Sequence, residues 1–350
     1  MLHRRPLRVL AVLAGLALLV TACGDDKKDS SSTDDTKVPT ESDVRVGIVY
    51  DVGGRGDQSF NDAAFAGLSK AEKELGIKAQ DLEPSAGGKD REELLRTLAD
   101  DGYGLIIGVG FNFSTPLKAV AADYPDTSFA VVDDDQAIAD NITNLVFAEE
   151  QGSYLVGAAA ALTGTTGKLG FIGGVESPLI KKFEAGYVAG ATKVKPAVTV
   201  DVKYISQLPD FSGFNNTTAA KEIATAQYGG GADVIFHAAG GSGGGLFEAA
   251  QAVPNVWAIG TDSDQYLTAD PAVQSRILTS MIKRVDVAVF NAIKAFTEGS
   301  LESGVQRFDL SNDGIGYSVS GGFLKPEVIT QLDDLKQQIV AGTIEVPTTP

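Results

Sequence analysis

Residues 51–62, DVGGRGDQSFND, set an aromatic ring, an amide and several carboxylates just past a glycine-rich turn. Val46, Ile48 and Val49 read as a short buried strand, and Gly53, Gly54 and Gly56 supply the turn. From Asp62 onward, Ala63, Ala64, Phe65, Leu68, Ala71 and Leu75 recur at helical spacing. This places Phe60 and Asn61 at the C-terminal edge of an α/β sheet, where open sheets bind ligands. A ring beside an amide suits a flat polar ligand better than a phosphate. Phe60 is expected to stack, because Phe65 is better spaced to fill the core under the helix. Asn61 is open to two roles, ligand contact or helix cap.

Other strand ends carry similar chemistry. Asp262 follows the strand at 256–260, where a carboxylate can accept two hydroxyls of a vicinal diol in charge-assisted hydrogen bonds. Asp264 is expected to cap the turn before Gln265, leaving Asp262 free. Asp133 ends the strand at 128–132 and opens the run DDD, with Asp134 the weaker candidate, and Asp51 holds the same position in the first unit. The glycine segment 239–245, AGGSGGG, suggests an anion site at a helix N-terminus, yet no Walker lysine follows it. Gly240 and Gly241 are therefore expected to donate backbone N–H groups to a closely approaching ligand. Phe183, in KKFEAGY, offers a second ring; an apolar face there favours a nucleobase over a plain hexose. His237 reads as structural, and the RGD tripeptide at 55–57 as a chance match.

These positions need a scaffold of alternating strands and helices. Strand-like runs fall at 45–50, 105–109, 128–132, 145–147, 168–172, 198–204, 233–237 and 256–259. Between them lie helical stretches such as 91–100, 115–123, 153–162, 180–191, 216–228 and 246–251, a pattern that indicates βαβ units around parallel sheets. Residues 280–296 (SMIKRVDVAVFNAIKAF) also read as helical, and 328–340 as a terminal helix. Two such halves break near 147–153, each opening with a strand, a glycine turn and a helix. The expected fold class is therefore α/β, with two doubly wound, Rossmann-like lobes.

At 350 residues the chain can hold two sizeable cores. A net charge of −17 argues against nucleic acid, whose phosphates need clustered Lys and Arg. Two histidines and one cysteine leave no material for a zinc or iron site built from those ligands, and no cofactor is expected. That cysteine, Cys23, follows a basic start (His3, Arg4, Arg5, Arg8), an apolar run at 9–20 and the tetrad VTAC, which resembles the lipobox of bacterial lipoproteins. The resemblance implies a signal peptide at 1–22 and lipidation of Cys23. Residues 23–43 are polar and low in complexity, as a flexible tether would be. The expected location is the extracytoplasmic side of the cell membrane, held there by lipid.

Two three-layer lobes resemble the type I periplasmic binding proteins. By that analogy, one lobe comprises 44–147 plus 282–309 and the other 148–281 plus 310–350, joined by three hinge segments. Seven ordered blocks narrow the resemblance: DVGGRGDQSFND, GVGFNF (108–113), AEEQGSYLVGAAAA (148–161), GFIGGVESPLIKKFEAGYVAGA (170–191), GADVIFHAAGGSGGGLFEAA (231–250), IGTDSDQ (259–265) and LTSMIKRVDVAVF (278–290). Together they look like the basic-membrane-protein family, PnrA-like nucleoside-binding lipoproteins of ABC transporters. The resemblance implies a non-enzymatic, monomeric protein that takes nucleosides, purine ones first, and passes them to a permease. It also implies that Lys283 reaches a ribose hydroxyl or a neighbouring carboxylate. Other expectations stay open: riboflavin or a sugar on the same scaffold, a nucleoside-cleaving enzyme, or a surface adhesin or sensor.

Overall fold

In this computed structural model, residues 43–85 and 87–350 are described; the signal peptide, Cys23 and nearly all of the tether lie outside them. The chain runs through β1 (Arg45–Val49), α1 (Phe60–Leu75), β2 (Lys78–Leu82), α2 (Arg91–Asp100), β3 (Leu105–Val109), α3 (Ser114–Asp123), β4 (Ser128–Val132) and β5 (Ile142–Phe147). It continues through α4 (Glu149–Thr163), β6 (Lys168–Glu176), α5 (Pro178–Val194), β7 (Thr199–Gln207), α6 (Thr217–Gly229), β8 (Val234–Ala238), α7 (Gly243–Ala252) and β9 (Trp257–Asp262). Two single-turn helices, α8 (Gln265–Thr268) and α9 (Pro271–Gln274), precede β10 (Ile277–Lys283). The chain ends with α10 (Val285–Thr297), β11 (Gly304–Phe308), β12 (Ile315–Tyr317) and α11 (Pro326–Val340).

The strands form two six-stranded sheets, ordered β11-β5-β4-β3-β1-β2 and β12-β10-β9-β8-β6-β7. All pairs in the first are parallel; in the second only β12 runs antiparallel, against β10. Parallel strands covered on both faces should be apolar throughout, and LIIGV in β3 and VIFHA in β8 are fully buried. The α/β reading of two doubly wound sheets is what the structure shows.

The chain passes between sheets at three places. β5 gives way to α4 through the single residue Ala148 (φ −91°, ψ 65°), and β10 to α10 through the single residue Arg284 (φ −79°, ψ 58°). Both bends have inverse γ-turn dihedrals, common at strand ends. The third passage, from β11 to β12, is a turn pinned by Asn312, whose Oδ1 accepts from the Asp309 and Gly314 N–H groups.

Some elements differ from the sequence reading. Residues 277–283 form a strand, and the helix begins only at Val285, so Lys283 sits at a strand end. SMIK carries enough apolar spacing to pass as the first turn of the following helix, but ILTSMIK is buried along the middle of the second sheet. β2 (KAQDL) escaped notice because an edge strand with one exposed side needs few apolar residues. β11 and β12 were hidden for the same reason.

Helices α4 and α5 pack backbone to backbone. A Cβ placed on Gly190 would lie 1.9 Å from the Tyr154 carbonyl oxygen, and one on Gly157 would lie 2.1 Å from that of Tyr187. The alanine run 158–161 lets the surfaces meet. Gly190→Ala should therefore cost about 1–3 kcal/mol through overpacking. Urea unfolding would read this as a lowered midpoint, and an unmoved midpoint would show that the two helices separate freely.

Candidate functional site

In each sheet the strand order reverses beside one strand: β1 is flanked by β2 and β3, and β6 by β7 and β8. Crevices at the C-terminal ends of such strands are where open α/β sheets take ligands. The two crevices face one cavity. The first sheet contributes Asp51 and Val52 after β1 and Gly110 and Phe111 after β3; the second contributes Ile180 on α5 and Gly240 and Gly241 after β8. Phe60, Asn61, Asp133, Phe183, Asp262 and Lys283 line the same cavity. Asp51, Phe60, Asn61, Asp133, Phe183, Gly240, Gly241, Asp262 and Lys283 are thus brought to one place, while the weaker candidate Asp134 is not.

At one end of the cavity lies a buried ion cluster. Lys283, 2% exposed, sets its Nζ 2.5 Å from Asp133 Oδ2 and 3.8 Å from Asp262 Oδ1. Asp133 comes from the first sheet, Lys283 and Asp262 from the second. Both aspartates hold left-handed backbone, φ 66° and 65°, which non-glycine residues adopt at some cost, often at functional sites. Burial pulls the Lys283 ammonium down, but Asp133, Asp262 and Glu149 outweigh it and hold it above its ordinary value. Burial pushes Asp262 up, against the pull of Lys283 and the Ser59 hydroxyl. The ammonium also stands 4.6 Å from the ring centroid of Phe60, 5.3 Å from Phe147 and 5.6 Å from Phe183, at cation–π range. Asp133 Oδ1 is buried and has no hydrogen-bond partner.

The other end is organised by Asp51. Its Oδ1 accepts from Arg91 at 3.1 Å and from Asn112 Nδ2 at 3.0 Å. Burial raises its pKa while Arg91 and Asn112 oppose the rise. The Asp51 N–H donates to Asn61 Oδ1, so that amide oxygen ties β1 to α1 and does not cap the helix. The cap is Asp57, whose carboxylate accepts from the Ser59, Asn61 and Asp62 N–H groups. Burial pushes Asp57 up to about 6 despite those bonds. Asp62 fixes the glycine turn by accepting from the Gly56 and Gln58 N–H groups.

Two secondary assignments change. Asp264 makes no side-chain cap; Gln265 Oε1 instead accepts from the Thr261 N–H and faces His237 Nε2 at 2.9 Å. Asp134 turns from the cavity to accept from the Gln136 and Ala137 N–H groups. The DDD run therefore splits apart, and among the described residues no group of three or more acidic, histidine or cysteine side chains is placed to hold a metal ion. His237 is fully buried, and burial pushes its imidazolium down to about 4.

Several cavity and bridging residues were not visible in the sequence. Phe111 and Phe214 line the cavity from loops after β3 and β7, where no periodicity marks them. Arg91, on α2, has no motif around it. The two sheets are also bridged directly: Ser59 Oγ donates to Asp262 Oδ2 at 2.6 Å, Ser263 Oγ donates to the Ser59 carbonyl, and Gln265 Nε2 donates to the Gln58 carbonyl. Phe111 meets Phe211 with ring centroids 6.0 Å apart. No helix among the described residues is long and apolar enough to cross a membrane.

Comparison with known proteins places this geometry in context. A model of the Bmp family, described as ABC transporter substrate-binding protein PnrA-like, matches residues 44–350. The chain is 35% identical to a CD4+ T-cell-stimulating antigen of Listeria innocua, over 97% of this chain and 98% of that one. It is 34% identical to the ABC transporter nucleoside-binding protein BmpA of Lactococcus lactis, over 97% and 99% respectively. Among solved structures, a solute-binding protein of an ABC transporter system from Aeropyrum pernix superposes with a TM-score of 0.75 at 30% identity, covering 87% of this chain and 93% of that one.

Proposed function

This chain belongs to the PnrA-like substrate-binding proteins of ABC transporters, and from that premise we propose that its cavity captures nucleosides, purine nucleosides first. The observation that carries the reading is the pairing of rings with a charged end in one cavity. Phe60, Phe183 and Phe214 offer faces for a planar base, while Asp133, Asp262 and Lys283 offer acceptors and a donor for ribose hydroxyls. The name of the Lactococcus relative points the same way. The bodies around the two sheets act as lobes that close on the ligand. Because β10 keeps Ile282 and Lys283 in the second sheet, the boundary expected at 281/282 moves to the bend at Arg284, giving 44–147 with 285–309 and 149–283 with 310–350. Cys23 carries the lipid, residues 24–43 the tether, and a permease receives the ligand from a monomeric binding protein. Capture requires no covalent step, and the cluster of carboxylates serves hydrogen bonding.

Isothermal titration with adenosine, inosine, guanosine, cytidine, ribose and riboflavin tests this directly. Heat with the purine nucleosides at micromolar or lower Kd is expected, with ribose alone far weaker. Binding of riboflavin without any nucleoside would replace the ligand assignment, and sustained release of free base from inosine would replace binding with catalysis.

A further inference from the structure

Behind the cavity, Glu149 opens α4 directly after the bend at Ala148. It is fully buried; its Oε1 has no hydrogen-bond partner, and its Oε2 lies 3.5 Å from Lys182 Nζ on α5. The charged groups facing it are Asp133 at the end of β4, Lys283 at the end of β10 and Lys182. Its neighbour Glu150 takes Arg307 of β11 at 3.1 Å, so that cation serves another carboxylate. Lys283 is shared among three acids: Asp133 at 2.5 Å, Asp262 at 3.8 Å, and Glu149 through its field.

This crowding has a direction. The Asp133–Lys283 contact joins the first sheet to the second, so any shift of the ammonium acts on a tie between them. An ionised Glu149 repels Asp133 and draws Lys283 back; a neutral one does neither. We propose that Glu149 is a positioning residue for Lys283, and that the protein takes up a proton there when it closes on its ligand. The proposal rests on the cavity being the ligand site and goes beyond it by coupling capture to pH. Burial and the Asp133 charge push Glu149 up to about 7, against Lys283 and Lys182. A more open form, with Asp133 withdrawn and water admitted, returns it toward the ordinary carboxylate value of about 4.3.

The sign follows from linkage. The closed form binds the proton more tightly, so its advantage is complete below the open-form pKa and is lost as pH rises through about 7. The affinity for inosine should weaken about tenfold between pH 6 and 8.5. Titrations near pH 7 in buffers of different ionisation enthalpy should show net proton uptake. Glu149→Gln should bind with a nearly flat profile, close to the wild-type affinity at pH 6. Asp57, raised to about 6, titrates in the same window but is present in both proteins, so the difference between the two profiles isolates Glu149.

A ligand-free measurement separates this proposal from the nucleoside reading. In the absence of ligand, the wild-type radius of gyration from X-ray scattering should fall as pH drops from 8.5 to 5.5, because the proton favours the closed form, and that of Glu149→Gln should not follow pH. A wild-type radius that ignores pH would overturn the proton site, as would a variant that keeps the wild-type pH dependence of binding. A pH-dependent radius with no heat from any nucleoside would keep the proton site and remove the nucleoside.

Discussion

Replacing Lys283 by methionine should lower the thermal midpoint at pH 7.5 by roughly 6–10 °C, since each lost kcal/mol is worth about 2 °C or more in a chain of this size. The stem is nearly isosteric, so packing against Phe60, Phe147 and Phe183 survives. What is lost is the charge facing Asp133, Asp262 and Glu149. Removing one partner of a buried ion pair costs about 3–5 kcal/mol, because the other is left uncompensated. Here three carboxylates lose the same cation. The deficit should shrink as pH falls from 8 to 5, because burial raises Glu149 and Asp262 and their protonation removes repulsion. Adding Asp133→Asn to Lys283→Met should recover a large share of the midpoint, since it removes the carboxylate closest to the lost ammonium. A Lys283→Met protein with a wild-type midpoint at every pH would show that the cluster is already neutral.

The second large effect is expected at Phe60. Base–aromatic stacking is worth about 1–3 kcal/mol, so Phe60→Ala should weaken inosine binding about 10- to 100-fold. Phe60→Trp, which keeps a π face, should stay within about threefold. Phe60 is half-buried at the cavity, so truncation should cost little stability. Phe183 differs: it is 2% exposed and belongs to the main core, so Phe183→Ala mixes binding loss with a core cavity costing about 3–5 kcal/mol. Phe214 is half-buried and packs over Gly174, where a Cβ would clash with its ring. Phe214→Ala therefore reports the opposing ring more cleanly. Unchanged titration curves for Phe60→Ala and Phe214→Ala would mean that no ring sandwich holds the ligand.

What the sequence revealed follows from which signals are local. The strand, turn and helix around Phe60 are carried by three glycines and a regular apolar spacing, so the ring's position at a sheet edge could be read directly. Asp133 and Asp262 were legible because each directly ends an apolar strand. Lys283 was selected through the family blocks, while its strand was taken for a helix: one turn of apolar spacing is compatible with both. The roles of Asn61 and Asp57 depend on which backbone N–H each oxygen meets, and that geometry is not periodic. Arg91, Phe214 and Glu149 matter through contacts made by distant segments, and their local patterns say nothing of those partners. Glu149 is the clearest case, since an EE pair at a helix start reads as a solvated first turn favoured by the helix dipole, whereas both carboxylates are buried.

The matched bends at Ala148 and Arg284 have a mechanical consequence. Each joins a strand of one body to a helix of the other with no slack, and their dihedrals are nearly the same. Two short leaves of equal shape behave as a flexure: they resist sliding and shear, and yield to rotation about the line through them. Any swing of one sheet against the other is thus confined to a single degree of freedom, with the longer turn at 309–314 trailing. Small torsional changes at two residues then become displacements that grow with distance from the bends, while the Ser59–Asp262 tie, beside the bend at Arg284, moves least.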